Sequence, residues 1–376
     1  MKIREIRCYV LEAKLDRPFG WSLAVTDRRS ALVVEVTTDE GISGFGECYG
    51  PPSANAAVVA LYGELLRGRD PLATEAIWQE LYNALRDHGQ RGLAVQALSG
   101  IDIALWDIRG KAAGRPIHAL LGGPIRRRVR AYATGLYERQ DGHHVTYLAE
   151  EARGYVAEGF SAMKLKVGFG LDRDLAAARA VRKAIGPGVA LMVDANHAYD
   201  LLAATELGRR LAELDIAWFE EPIPPEDVEG YAELRRRQPL PVAGGECSFT
   251  RFDFRRLFTA RALDVAQPDT CAAGGISECK KIADMAAAFG VRYIPHVWGT
   301  GIALAASLQL LAVLPNEPLC RFPREPLLEF DRTEHPIREA ILERPIGHRD
   351  GWVEIPDGPG LGVAIDGEAL RRFAVA

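Results

Sequence analysis

The stretch that decides the fold opens at Ser161-Ala162-Met163-Lys164-Leu165-Lys166-Val167 and closes at Val291-Arg292-Tyr293-Ile294-Pro295-His296. Between these ends, short apolar runs each lead to an ionisable side chain. Ala162–Val167 carries Lys164 and Lys166, Ala190–Val193 stops at Asp194, and Ile216–Phe219 stops at Glu220. Leu240–Ala243 leads to Glu246, Val265–Gln267 to Asp269, and Val291–Pro295 to His296. From Lys166 onward the steps are 28, 26, 26, 23 and 27 residues. A short buried strand, a crossover helix and its loops fill about that length. Repeated strand–helix units build a parallel sheet. Several in a row, each with a polar strand end, predict an α/β fold of the (β/α)-barrel type. In such barrels the chemistry sits at the C-terminal face of the strands.

Working outward, Val129–Thr134 is the expected first barrel strand, and the barrel is expected over residues 126–345. Upstream, Lys2–Glu12 and Ala31–Thr38 read as strands, with Gly41-Ile42-Ser43-Gly44 turning into a third at Phe45–Cys48. Gly44-Phe45-Gly46-Glu47 is not a nucleotide loop, because it lacks the third glycine and sits in a hairpin. Asn55–Leu66, Thr74–Arg86 and Ala94–Lys111 carry apolar residues at helical spacing. Trp106 and Asp107 in the last of these read as packing and capping. Leu120-Leu121-Gly122-Gly123-Pro124 closes this block. Strands followed by helices predict a separate N-terminal α+β capping domain over residues 1–125. After Arg321 the periodicity fades, and residues 346–376, with their Pro356-Asp357-Gly358-Pro359-Gly360 turn, are expected to return to that cap.

The 376 residues are 48% hydrophobic and 26% charged, as in a globular protein, with a net charge of −5 and mixed signs. Nothing here calls for nucleic acid. No apolar run approaches the roughly 18 residues of a membrane span. The N-terminal sequence alternates and is charged, unlike a signal peptide. The six cysteines, at 8, 48, 247, 271, 279 and 320, form no C-x-x-C pair. This argues against a disulfide scaffold or zinc cluster and for a cytoplasmic protein with reduced thiols.

Adjacent barrel strands lie roughly 5 Å apart, so Asp194, Glu220 and Glu246 at successive strand ends converge. Uncompensated, they would repel and raise one another's pKa. A hard divalent cation resolves the conflict, and three carboxylates suit octahedral Mg²⁺. Side chains alternate along a strand, so only one of Glu220 and Glu221 points at that centre. Asn196 shares the direction of Asp194, as a further ligand or a group behind the ligands. Lys164 and Lys166 share one face of a strand too apolar to carry them inward without partners. A cation and a neighbouring lysine both lower a lysine's pKa toward that of a working base. His296 lies five strands round from Lys166, across an eight-stranded ring, with Asp269 placed to fix its tautomer. His143, His144 and His348 read as loop residues.

Two bases flanking carboxylate-bound Mg²⁺ are arranged to remove a proton α to a carboxylate. Here the chain resembles the enolase superfamily, in its mandelate racemase/muconate lactonizing branch. The resemblance rests on Lys164-x-Lys166, Asp194-Ala-Asn196, Glu220-Glu221-Pro222, Gly244-Gly245-Glu246, Gln267-Pro268-Asp269 and the His296 strand. Outer pieces agree: Gly44-Phe-Gly-Glu47, Asp102-Ile-Ala-Leu-Trp106-Asp107, Leu120-Leu-Gly-Gly123 and Pro356–Gly362. It implies a modified TIM barrel with its cap, metal on Asp194, Glu220 and Glu246, and bases at Lys166, partnered by Lys164, and at His296 with Asp269. It further implies that Glu329 hydrogen-bonds the substrate carboxylate. Cap loops around Phe19–Ser22 and Tyr49–Pro52 are expected to close over the substrate. Asp194–His197, Pro295–Gly301 and Glu329–Arg332 are similar to the branch's lactone-opening cycloisomerases of sugar acids. That adds Asn196 and Trp298 as substrate contacts and implies β-elimination to a 3-deoxy-2-keto-hexarate. The alternatives are an acid-sugar dehydratase, a racemase or epimerase, or a non-catalytic sugar-acid binder. The intact set of two bases argues against the binder. The expected partners are a small sugar acid or lactone and further copies of this chain, with neither nucleic acid nor membrane.

Overall fold

The computed structural model describes residues 1–139, 145–318 and 320–375. It opens with an antiparallel sheet: β1 (Ile3–Trp21), β2 (Ala24–Thr38) and β3 (Ser43–Cys48). Four helices follow: α1 (Pro52–Leu66), α2 (Thr74–Ala84), α3 (Leu93–Ala113) and the short α4 (Ile117–Leu120). Sheet and helices share one apolar core through Leu32, Val34 and Val36 of β2 and Leu98, Ile101 and Leu105 of α3. The glycines of β3 are a packing requirement, since a Cβ on Gly46 would stand 1.9 Å from the Gly100 carbonyl oxygen of α3. Gly44-Phe-Gly-Glu47 is thus a hairpin strand, as its sequence implies.

The β1–β2 hairpin runs much further than the two strands read from the sequence. Its ladder breaks between Lys14 and Phe19, then resumes with Phe19 opposite Thr26 and Trp21 opposite Ala24. In the break, the N–H groups of Asp16 and Arg17 donate to the Glu334 carboxylate instead of to β2. Phe19–Trp21, expected as a loop, is therefore a strand. It is paired on its other side with β5 (Glu138–Arg139), which follows β4 (Arg128–Thr134). The tip of the hairpin is fixed over the barrel mouth.

The barrel units are α5 (Val145–Ala157), β6 (Ala162–Lys166), α6 (Leu171–Ile185), β7 (Ala190–Asp194), α7 (Leu201–Leu211) and β8 (Ile216–Glu220). They continue through α8 (Val228–Arg237), β9 (Val242–Gly244), α9 (Thr250–Thr259), β10 (Val265–Ala266), α10 (Gly275–Phe289), β11 (Arg292–Tyr293), α11 (Gly301–Leu311) and β12 (Leu327–Asp331). Neighbours pair in parallel in the order β11-β10-β9-β8-β7-β6-β4-β12. Inside the curled sheet, Tyr132, Ala162, Met192, Trp218, Ala243, Val265 and Ile294 form an apolar plug. Two residues on, at the strand period, stand Thr134, Lys164, Asp194, Glu220, Gln267 and His296. The functional groups thus occupy the layer above the plug.

After β12 come α12 (Pro336–Ala340), β13 (Trp352–Glu354) and α13 (Gly367–Phe373). β13 pairs antiparallel with β4, while the Val375 N–H donates to the Val10 carbonyl of β1. The tail touches both barrel and cap. Asp107 of α3 ties its turn down, accepting from the N–H of Leu361 at 2.9 Å.

Candidate active site

Seven strand ends deliver the predicted groups to one place. Ligand oxygens of Asp194, Glu220 and Glu246 lie within 4.8 Å of one another. Glu220 shares the inward face of β8 with Trp218, whose Nε1 donates to it at 2.9 Å. Glu221 turns away, its backbone at φ +40°. Lys164 spans Glu220 and Glu329, the latter at 2.8 Å. Lys166 Nζ donates to Asp194 Oδ2 at 2.6 Å and to Asn196 Oδ1 at 2.9 Å. Across the ring, His296 Nδ1 meets Asp269 Oδ2 at 2.7 Å, and Nε2 stands 3.6 Å from Glu246. Asp269 is itself aimed, because its Oδ1 accepts from the Cys271 N–H at 2.6 Å.

Burial and charge set the protonation states. Burial alone would lower the pKa of Lys166, but Asp194 and the Tyr137 hydroxyl outweigh it and the net shift is upward. Lys164 pulls the other way, as the sequence leads one to expect, and loses. Lys164 rises for the same reason, through Glu220 and Glu329. Burial would also lower His296, yet Glu246 and Asp269 raise it to about 10. Glu220 is pushed up to about 7, chiefly by burial and against Lys164, with Asp194, Glu329 and Glu246 adding to the rise. Negative charge is therefore in excess at the centre. Among the described residues no hydrogen-bond donor meets Glu246. Convergent oxygens, a raised carboxylate and an uncapped Glu246 fit a bound cation.

Glu329 is held as an acceptor. Thr134 Oγ1 donates to Oε1 at 2.6 Å and the Val297 N–H to Oε2 at 2.9 Å. Burial would raise its pKa, but Lys164 and His296 lower it below the ordinary value.

Lys166, Glu246, His296 and Glu329 line a cavity of about 200 Å³ with Trp21, Leu23, Tyr49, Tyr137, Asn196, His197, Cys247 and Trp298. The cap supplies the roof. Trp21 packs edge-on against Trp298 at 5.8 Å, and Tyr49 against His296 at 5.3 Å. Arg29 of β2 stacks on Trp298 at 4.2 Å and pairs with buried Asp331 at 2.7 Å. Trp298 Nε1 is buried without a hydrogen-bond partner among the described residues.

Two family models match the sequence: the mandelate racemase/muconate lactonizing enzyme N-terminal domain over residues 5–122 and the enolase C-terminal domain-like family over 147–369. The chain belongs to the enolase superfamily. D-galactarolactone cycloisomerase of Agrobacterium fabrum is 51% identical over 99% of both chains. Arabinonate dehydratase of Saccharolobus solfataricus is 36% identical over 93% of this chain and 95% of its own. The crystal structure of 3,6-anhydro-D-galactonate cycloisomerase from Zobellia galactanivorans superposes with a TM-score of 0.91, at 41% identity and full coverage of both chains. Superfamily members bind a metal ion, and the carboxylate trio stands where this chain would hold one.

Within this superfamily frame, the structure brings together Lys164, Lys166, Asp194, Asn196, Glu220, Glu246, Asp269, His296, Trp298 and Glu329. His348 lies elsewhere, packed on Phe160 at 4.4 Å. His143 and His144 lie outside the described residues. Three residues escaped the sequence reading. Gln267 donates to Glu220 at 2.7 Å. Its signal was present, since it sits two residues beyond Val265 on the inward face. Tyr137 follows a barrel strand end and fits the same logic. Arg29 carried no local signal, because its partners lie far along the chain, whereas Trp21 falls within the cap segment expected over the substrate.

Proposed function

We propose that this protein isomerises a hexarate lactone by α,β-elimination. The observation that carries the reading is that Lys166 and His296, from strands five apart, line one cavity together with Glu246 of the converging carboxylate trio. One base takes the proton α to the free carboxylate. The C–H electrons become the new C=C bond, the β C–O bond breaks, and the ring oxygen leaves as a second carboxylate. The enol then takes a proton at its β carbon, giving a 3-deoxy-2-keto-hexarate. No atom is lost, so the net change is an isomerisation.

Lys166 is our choice for the α-proton base. His296, its tautomer held by Asp269, addresses the other face. Lys164 anchors Glu220 and Glu329. Asp194, Glu220 and Glu246 would hold Mg²⁺, which would supply positive charge against the substrate carboxylate and loosen the grip of Asp194 on Lys166. Asn196 and the free Trp298 N–H would donate to substrate oxygens, and Glu329 would accept from a hydroxyl.

A panel of hexarates and their lactones, read by keto-acid formation, tests this. Lactones should turn over, chelation should stop the reaction and Mg²⁺ should restore it. Full activity in excess chelator would sink the metal assignment. Turnover of open-chain acids but never lactones would favour the dehydratase reading, which the likeness to arabinonate dehydratase supports. We further propose the division at about residues 125 and 346, a homo-oligomer, and a cytoplasmic location; six free cysteines support the last.

A further inference from the structure

The strand ends that carry the carboxylate trio carry a second ligand set. β7 leads to Asp194 and then His197. β8 ends in Glu220 and then Glu221. Beyond β9, Glu246 is followed by Cys247. Alternation along the chain sends the first member of each pair to the barrel axis and the second to the side. There, one ligand atom each from His197, Glu221 and Cys247 lies within 4.8 Å of the other two. His197 Nδ1 is 3.2 Å from Glu221 Oε2, and Cys247 Sγ is 3.8 Å from His197 Nε2.

The mechanism proposed above uses none of the three. Glu221 is 1% exposed, and among the described residues its carboxylate meets no donor apart from the Cys247 thiol and the His197 ring beside it. The nearby His197 Nδ1 is also buried and unsatisfied, its approach to Glu221 misaligned for a hydrogen bond. A buried carboxylate met only by a weak thiol donor and a misaligned imidazole is poorly satisfied, so such an arrangement calls for an occupant. His197 and Cys247 also line the substrate cavity, which gives an entry path.

We propose that His197, Glu221 and Cys247 form a second metal site, separate from the carboxylate trio, that takes a thiophilic divalent cation of the Zn²⁺ class. Sulfur, imidazole and one carboxylate make a soft, three-ligand set with a fourth position open, which suits Zn²⁺ or Co²⁺ and not Mg²⁺. Binding displaces the thiol proton to solvent, leaving thiolate on the metal.

Cobalt titration of the full-length protein in excess Mg²⁺ tests this optically. Co²⁺ on the carboxylate trio has only oxygen ligands and gives no thiolate charge-transfer band. Co²⁺ on the second set gives that near-ultraviolet band, saturating at one equivalent and displaced by Zn²⁺. Cys247→Ser should abolish the band. Glu221→Gln and His197→Ala should each weaken cobalt binding by at least about tenfold. No band in the native protein, or a band that survives in Cys247→Ser, overturns the proposal. A native band unmoved by both Glu221→Gln and His197→Ala overturns the ligand set.

Discussion

Asp269→Asn isolates the role of the His296 tautomer. Asp269 is gripped on both oxygens, by the Cys271 N–H at 2.6 Å and by His296 Nδ1 at 2.7 Å. In asparagine one of these atoms becomes NH₂. Placed toward Cys271 it would set two donors face to face, so the amide oxygen must stay there. The NH₂ then faces Nδ1, which can only accept, and the imidazole proton moves to Nε2. That nitrogen is the one on the Glu246 side, so the neutral imidazole, the form that acts as a base, no longer offers a lone pair there. The substitution also removes one of the charges that raise His296 to about 10, leaving Glu246 and Glu329 against burial. The loss should be that of a positioned general base, about 10²–10⁴-fold in turnover, or roughly 3–5 kcal/mol at the transition state. Turnover on a galactarolactone, α-proton exchange in deuterated solvent and a thermal melt together provide the assay. Turnover should fall by that factor with the melt nearly unchanged. A variant within about threefold of the native rate would show that His296 needs no orientation and has no part in proton transfer.

Lys166→Ala should lose both turnover and α-proton exchange by at least about 10²-fold; exchange that survives it but vanishes in His296→Asn would reassign the α-proton base. Arg29→Met breaks the buried pair with Asp331 and should cost about 3 kcal/mol at pH 7, since Arg338 remains on that carboxylate at 3.0 Å. Burial would raise Asp331, but Arg29 foremost and then Arg338 lower it to about 2 from its ordinary 3.8. Its contribution is therefore complete above about pH 4 and lost as pH falls toward 2. Urea midpoints of native and Arg29→Met should converge between pH 7 and pH 3, and a gap of constant size would contradict the assignment. Gly46→Ala forces a methyl to within 1.9 Å of the Gly100 oxygen and should destabilise the cap by about 1–3 kcal/mol; an unchanged melting temperature would refute that contact.

The sequence by itself determined the barrel and most of its reactive layer. Both are written locally. An apolar run followed by an ionisable residue every 23 to 28 positions marks each strand end. The same alternation that buries Trp218 puts Glu220 on the metal side and turns Glu221 away. Tertiary structure decided how the roof is assembled and how the charges balance. Trp21, Arg29, Tyr49 and Trp298 reach one cavity wall from segments far apart in the chain. The Arg29–Asp331 pair closes across 302 residues, and no periodicity records such a contact. The upward shift of Lys166 was hidden for a related reason. Sequence shows Lys164 two residues away, but only folding places Asp194 at 2.6 Å and Tyr137 beside it, and together they outweigh burial and the second lysine. Strand ends are fixed by short-range patterning, whereas pocket shape and pKa follow from distances that exist only once the cap is seated on the barrel.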